Sequence, residues 1–381
     1  MTIRIMVLGT GAMGLGILQV LRKFPEFEVV AIADKDPAAL NKARQLVSKR
    51  TLATLESDEA LKTKPEVLID ATNSILESAL FLIKALEQNI HVILMNGEVD
   101  QVFGRLLARK AAENNVILTS DAGDQHGVLA ALIDNVKNMG FQVIMAGNNK
   151  GFLDRYATPD SIIHEAAIRR LSRKQCTAYT DGTKMAIEMA IIANAENFSL
   201  LQEGMTGPRI ENVADALTTF DFDRARELGG VVDYVLGAKP GGSVFVVGYS
   251  DDPEDRFYMN YYKMGKGPNF LFLRPYHLCH FETPLAIRKI FTHKQPILVQ
   301  KTHSLEVNAY AKTNLQPGTK LDGIGGYHLY GLLGKPSGLP IGLAERAVLM
   351  KRKKKDDPIE WSDIKFAEDD PLLALWKEQE G

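Results

Sequence analysis

The chain has only two cysteines in 381 residues, Cys176 and Cys279. They lie far apart and outside any Cys-x-x-Cys pair, which excludes a disulfide scaffold and fits a reducing compartment. No apolar run reaches the roughly 20 residues that a membrane-spanning helix needs. An excess of charge of one sign is also missing: 45 Lys and Arg stand against 47 Asp and Glu, a net charge of -2. Nucleic acid and anionic membranes are therefore given no general electrostatic hold. The one basic run, KRKKK at 351–355, reads as a solvated turn. There is no internal repeat and no low-complexity linker. The first strand pattern begins by Ile3, leaving no room for a signal peptide, so the expectation is a cytoplasmic protein.

What is present is apolar content of 45%, enough over this length for two or three domains with cores of their own. Strand and helix patterns alternate through the first third: RIMVLG, GLGILQVLRKF, FEVVAIAD, DPAALNKARQLV, PEVLIDATNS, ALFLIKALEQN, HVILMNGEVD, GRLLARKAAENN and VILTSDAGDQHG. That rhythm predicts an α/β fold with a doubly wound parallel sheet. Asp36 followed by Pro37 predicts a capped helix start.

Between the first strand and the first helix stands VLGTGAMGLG, in which Gly9, Gly11 and Gly14 form GxGxxG, with Ala12 and Met13 at the helix start. Glycines there permit a tight turn and let a pyrophosphate approach the N–H groups of the helix. The second strand ends at Asp34, where a dinucleotide fold places the acid for the adenosine ribose hydroxyls. Lys35, next to it, is the residue that could take a 2′-phosphate, so both NADH and NADPH stay open. Ligands of such sheets lie beyond the carboxyl ends of the strands, so Thr72, Asn73, Asn96, Glu98, Asp121 and Asp124 are expected on one rim.

Beyond residue 130 the pattern changes. FQVIMAGNNKG reads as a strand ending near Lys150, and DGTKMAIEMAIIANA as an apolar helix carrying Lys184 and Glu188 four residues apart on one face. Buried charges persist when paired or put to use, so the two are read either as a structural ion pair or as catalytic groups, with Lys150 the second candidate lysine. FLRPYHLCHFETP gathers Arg274, His277, His280 and Glu282 as a polar pocket wall. A strand there would set His280 and Glu282 on one side, and a helix would bring the two histidines together. No second cluster with ligand spacing supports zinc. The last ninety residues, with Pro317, Gly318 and glycines at 323–326, read as short strands joined by turns.

Taken in order, GTGAMG, LMNGEVD, DAGDQHG, GNNKG, DGTKMAIEMAIIANA, RPYHLCHFE and LPIGLAE resemble the DXR-like oxidoreductases over nearly the whole chain. That family is related to homoserine dehydrogenase and includes a second type of 1-deoxy-D-xylulose 5-phosphate reductoisomerase, an enzyme of isoprenoid precursor synthesis. His126 stands where the resemblance leads one to expect proline. The resemblance implies a Rossmann domain (1–130), an inserted α+β catalytic and oligomerisation domain (131–300) and a β-rich C-terminal module similar to SAF domains (301–381). It further implies an NAD(P)-dependent enzyme. From the residues themselves, Lys184 with Glu188, Lys150 as the second candidate lysine and Asp124 at the strand tip are expected as catalytic residues, and Arg274, His277 and His280 are expected to face a small hydroxylated or phosphorylated substrate. NADPH is the cofactor that the reductoisomerase would favour, whereas Asp34 itself favours NADH. A reductoisomerase would also ask for a divalent cation, Mg or Mn, for which Asp124, Glu188 and Glu282 are the available carboxylates. The apolar helices of the second domain lead to the expectation of a homo-oligomer. A plain homoserine, polyol or sugar-acid dehydrogenase, and a non-catalytic dinucleotide sensor, are the alternative readings.

Overall fold

The computed structural model describes residues 2–380. Its contacts group the chain into two compact units. The first is built from the chain up to residue 127, from 278–300 and from 368 onward, and the second from 128–277 and 301–367. The polypeptide thus leaves and re-enters the first unit twice.

In the first unit six strands, β1 (Ile3–Leu8), β2 (Phe27–Ala33), β3 (Leu52–Thr54), β4 (Val67–Asp70), β5 (His91–Leu94) and β6 (Leu118–Ser120), form one parallel sheet in the order β3-β2-β1-β4-β5-β6. Helices α1 (Ala12–Leu21), α2 (Pro37–Arg44), α3 (Ser57–Leu61), α4 (Leu76–Glu87) and α5 (Gly97–Glu113) make the crossovers, and α6 (Gln125–Asn138) follows the last strand. The strands read as continuous apolar runs because helices cover both faces of such a sheet. The order reverses beside β1, where β2 pairs on one side and β4 on the other, and a doubly wound sheet opens its ligand crevice at that switch point. Asp36 caps α2 by accepting the Ala38 N–H at 2.8 Å, with Pro37 at the first helical position.

The core under α1 joins Ile5, Val7, Ile17, Leu21, Ile69 and Ile93 to Ala286, Ile287 and Ile290 of the returning segment. That segment carries a 3-10 turn (Cys279–Phe281) and a short helix (Thr283–Arg288). The terminal helix, Pro371–Glu380, lies on α5, where the Gln379 side chain accepts the Leu106 N–H (3.0 Å) and donates to the Val102 carbonyl (2.8 Å). One amide thereby bridges two backbone groups of α5 that an uninterrupted ladder would pair with each other.

The second unit is built on a mixed sheet of β7 (Gln142–Lys150), β8 (Val231–Leu236), β9 (Val244–Tyr249) and β10 (Asn269–Arg274), in the order β10-β9-β7-β8. β7 runs parallel to β8 and antiparallel to β9, and β9 antiparallel to β10. Helices α7 (Ile163–Arg169) and α8 (Arg173–Thr180) precede α9 (Thr183–Glu196), which is buried on every face except at its last residue. An antiparallel pair, β11 (Glu306–Ala311) with β12 (Leu329–Gly334), lies against α9, and the Thr183 hydroxyl accepts the Gly331 N–H at 2.9 Å. A second short pair joins Val348–Leu349 to Ile364–Lys365.

One expectation is corrected. The 272–284 segment is neither strand nor helix throughout: β10 stops at Arg274, just before Pro275, whose ring removes a donor and fixes φ. The basic run 351–355 is exposed except at Lys353, with Lys351 and Lys353 pairing with Asp363 (3.2 and 2.5 Å) and Lys355 Nζ 3.3 Å from the centre of the Tyr156 ring. Among the described residues no helix is long and apolar enough to cross a membrane.

Candidate functional site

The three glycines of the first turn serve three different needs. Gly9 has φ +84°, and a Cβ there would fall 2.8 Å from the backbone of Ala71 and Thr72. A Cβ on Gly14 would fall 2.0 Å from the Gly9 carbonyl oxygen, so Gly14 lets α1 close on the turn. A Cβ on Gly11 would meet nothing within 4 Å. Packing therefore does not account for Gly11; it keeps open the space in front of α1. That helix starts with no side-chain cap and no acid in its first turn, so the amides of Ala12, Met13 and Gly14 face a region suited to an anion. Asp34 follows β2, with one carboxylate oxygen accepting the Thr10 N–H (2.5 Å) and hydroxyl (2.9 Å) and the other the Asp36 N–H (2.9 Å). Lys35 is exposed beside it. An open cradle, uncapped amides and an oriented acid are the donor and acceptor set that a dinucleotide needs.

At the carboxyl end of β4, Asp70 is buried and accepts from Ser78, from the Thr72 N–H (2.9 Å) and from Asn96 Nδ2 (3.2 Å). Burial pushes its carboxyl above the usual range, against those hydrogen bonds. Asn96 also donates to Thr72 Oγ1 (3.1 Å) and the Ser74 carbonyl (2.8 Å), while its own oxygen caps α5 through the Val99 N–H (3.1 Å). Asn96 is thus spent on shaping the 72–74 loop. Thr72 is half-buried and Asn73 exposed on that loop, and Glu98 stands half-buried in the first turn of α5.

Beyond β6 lies an acidic group within the same unit. Asp121 is fully buried and accepts the Gly123 N–H at 2.8 Å. Burial is the largest cause that pushes its carboxyl up to about 7, with the nearby charges of Asp124 and Glu282 adding to the rise and Thr283 and Gly123 opposing it. Asp124 accepts the Gln125 N–H (3.0 Å) and lies 3.8 Å from Nδ1 of the buried His126; Glu282 accepts the Leu278 N–H (3.0 Å).

In the second unit, β7 ends in Asn148, Asn149 and Lys150, and α9 presents Lys184 and, one turn on, Glu188. Lys184 is 5% and Glu188 1% exposed. Glu188 Oε2 lies 3.7 Å from Lys150 Nζ and 3.3 Å from Asn148 Nδ2. The sequence reading joined Glu188 to Lys184; β7 adds Lys150 and Asn148 to the same carboxylate. Asn148 was legible only as part of GNNKG, because a contact between residues forty apart in the chain leaves no spacing signal. Asn149 instead ties the 238–243 turn, donating to the carbonyls of Ala238 (2.9 Å) and Pro240 (2.7 Å) and to Ser243 (3.1 Å). Ahead of α9, Asp181 accepts the Thr183 N–H at 2.9 Å and pairs with Lys312 at 2.8 Å. Lys312 also donates to the carbonyls of Ala157 (2.7 Å) and Gly326 (2.9 Å). Burial raises the Asp181 carboxyl while Lys312 pulls it down. Nothing in the sequence marks this pair, which joins residues far apart in the chain.

Arg274 closes β10 with its guanidinium 4.8 Å over the Tyr276 ring, and His277 Nδ1 lies 3.0 Å from the Gly242 carbonyl oxygen, both in the second unit. His280 belongs to the first unit, its ring against Gly16 of α1 and its pKa lowered by burial and by Lys23. Among the described residues no group of three or more His, Cys, Asp or Glu side chains could hold a metal ion.

Residues 9–120 match the family model described as homoserine dehydrogenase, NAD binding domain, and residues 123–283 the one described as oxidoreductase DRL, catalytic domain. No curated protein matches the chain. Solved structures similar to it include the WlbA dehydrogenase from Bordetella pertussis in complex with NADH and UDP-GlcNAcA (20% identity, TM-score 0.34, 43% of this chain and 50% of that one). A hyperthermophilic archaeal homoserine dehydrogenase in complex with NADPH is 16% identical, with TM-score 0.48 over 78% of this chain and all of that one (100%). Dihydrodipicolinate reductase from Paenisporosarcina sp. TG-14 is 13% identical, with TM-score 0.42 over 78% and 97%. The chain spans about half the length of the WlbA dehydrogenase it matches.

Proposed function

We propose that the protein transfers hydride between a nicotinamide dinucleotide and the carbonyl or alcohol carbon of a small hydroxylated or phosphorylated substrate. Its most specific form would be reduction within the 1-deoxy-D-xylulose 5-phosphate reductoisomerase reaction. The observation that carries this reading is the buried Glu188 with Lys150 and Asn148 about its carboxylate, on a helix that also buries Lys184 one turn earlier. When bound, the cofactor supplies or accepts the hydride. The chain must do the rest. The Gly9–Gly14 turn and the start of α1 hold the pyrophosphate, Asp34 orients the adenosine ribose, and Asp124 stands by the nicotinamide end. Lys184 hydrogen-bonds the substrate oxygen and gives it a proton as negative charge develops there, and Glu188 holds and re-protonates the lysine. Lys150 and Asn148 keep Glu188 in place. Arg274 and His277 would bind the polar or phosphorylated end of the substrate. The Asp34 carboxylate repels a 2′-phosphate, so NADH is the preferred cofactor and Lys35 the residue that answers NADPH.

The test is absorbance at the reduced-nicotinamide band with NADH and NADPH, each offered 1-deoxy-D-xylulose 5-phosphate with and without Mn. Oxidation of one cofactor supports the reductoisomerase form. No oxidation, with cofactor binding shown by fluorescence, rejects that substrate and turns the assay to homoserine, polyols and sugar acids.

A further inference from the structure

The first unit holds a second concavity, at the amino ends of its strands, opposite the Gly9–Gly14 turn. It is a cavity of about 930 Å³, framed by the first residues of β1 and β2 and by the loops that lead into β3 and β4. Five cations line it, Arg4, Arg22, Arg50, Lys62 and Lys64, against the single carboxylate of Glu28. In a chain of net charge -2 that concentration calls for a cause.

Structural pairing does not supply one. Arg4 donates to the carbonyls of Thr63 and Lys64, which fix its guanidinium without an ion pair, while its backbone N–H donates to the Glu66 carboxylate at 3.0 Å. Lys62 meets Glu59 at 2.6 Å, but both are exposed on α3, where such a pair contributes little. Arg22, Arg50 and Lys64 have no ion-pair partner among the described residues. Gathering like charges around one hollow costs free energy, and an anion inside would offset it. The apolar part of the lining includes the buried Phe27 and the half-buried Val29, Leu46 and Val47. An apolar floor under a cationic rim, in a volume within the ~300–1,000 Å³ of small-molecule sites, suits an organic anion rather than a flat polymer.

We propose that this cavity is a second ligand site, for a small phosphorylated organic molecule. Guanidinium forks of Arg22 and Arg50 take the phosphate oxygens, Lys62 and Lys64 add positive charge, and the carbon part of the ligand lies on Phe27, Val29, Leu46 and Val47. The length of β1, about 20 Å at ~3.3 Å per residue, separates it from the dinucleotide turn. The proposal does not rest on the function proposed above.

The probes are inorganic phosphate and 1-naphthyl phosphate, titrated calorimetrically into the full chain, with the dinucleotide turn first saturated by NADH or NADPH. One site remains for each probe, its affinity falls as NaCl is raised, and naphthyl phosphate binds more tightly than inorganic phosphate. Charge reversal in Arg22→Glu/Arg50→Glu weakens binding by about tenfold or more and leaves dinucleotide binding unchanged. Neutralisation in Lys62→Gln/Lys64→Gln weakens it less, and a thermal melt shows that both variants fold. Loss of probe binding on dinucleotide saturation, or wild-type affinity in both folded variants, overturns the proposal. So does a short RNA that displaces naphthyl phosphate and binds more tightly than it.

Discussion

Lys184 reaches the interior on a helix whose other residues are mostly Ala, Ile and Met, one turn before Glu188. Replacing it by Met keeps the volume and removes the proton donor. Lys184→Met is expected to lower kcat by about 10²–10⁴-fold while dinucleotide affinity, read by fluorescence, stays unchanged. A dinucleotide sensor would retain its biological effect in the same variant. Asp121 carries a different expectation. Its carboxyl titrates near 7 in the fold, against the ordinary 3.8 of an unfolded chain. The folded state therefore keeps a proton that the unfolded state releases, and the stability this group contributes is full below the ordinary range and lost as pH rises through about 7. The loss is on the order of 4 kcal/mol. Asp121→Asn retains an acceptor for the Gly123 N–H and removes the titration. Urea unfolding should show its advantage over the wild type growing from pH 5 to pH 8; a constant difference would contradict the assignment.

The turn into α1 shows how one motif divides its tasks among neighbours. Gly14→Ala puts a methyl group against the Gly9 carbonyl, a backbone atom that cannot swing aside, and overpacking of this kind costs about 1–3 kcal/mol. Gly11→Val meets open space, so the fold is expected to keep its stability to within about 1 kcal/mol while dinucleotide affinity drops. Thermal melts paired with NADH titrations separate the two, and equal loss of stability in both would refute the division. GxGxxG was legible in the sequence because turn chemistry is local; the different work of each glycine was not, because it depends on what lies across from the turn. The same contrast runs through the strand ends. Asp36 and Pro37 announced their helix by local rules, whereas Asn96, read as a rim residue, is engaged with a loop that belongs to the neighbouring strand.

Taken whole, the chain depends on ties between distant segments. Lys312 joins Asp181 before α9, the carbonyl of Ala157 and that of Gly326, with both charges out of water. Lys312→Met leaves a buried acid alone and is expected to destabilise by about 3–5 kcal/mol, measured by chemical unfolding. If instead the pair were replaceable at no cost, the variant would unfold with the wild type. Local alternation, caps and glycine spacing made the parallel sheet, the dinucleotide turn and the charged helix readable from residue order alone, since each arises from interactions within a few residues. The return of 278–300 and 368–380 to the first unit, the separation of His277 from His280, and the meeting of Lys150 and Asn148 with Glu188 were decided by the tertiary structure. Their cause is burial: apolar faces and charges find cover wherever the fold provides it, and chain distance does not enter that free energy.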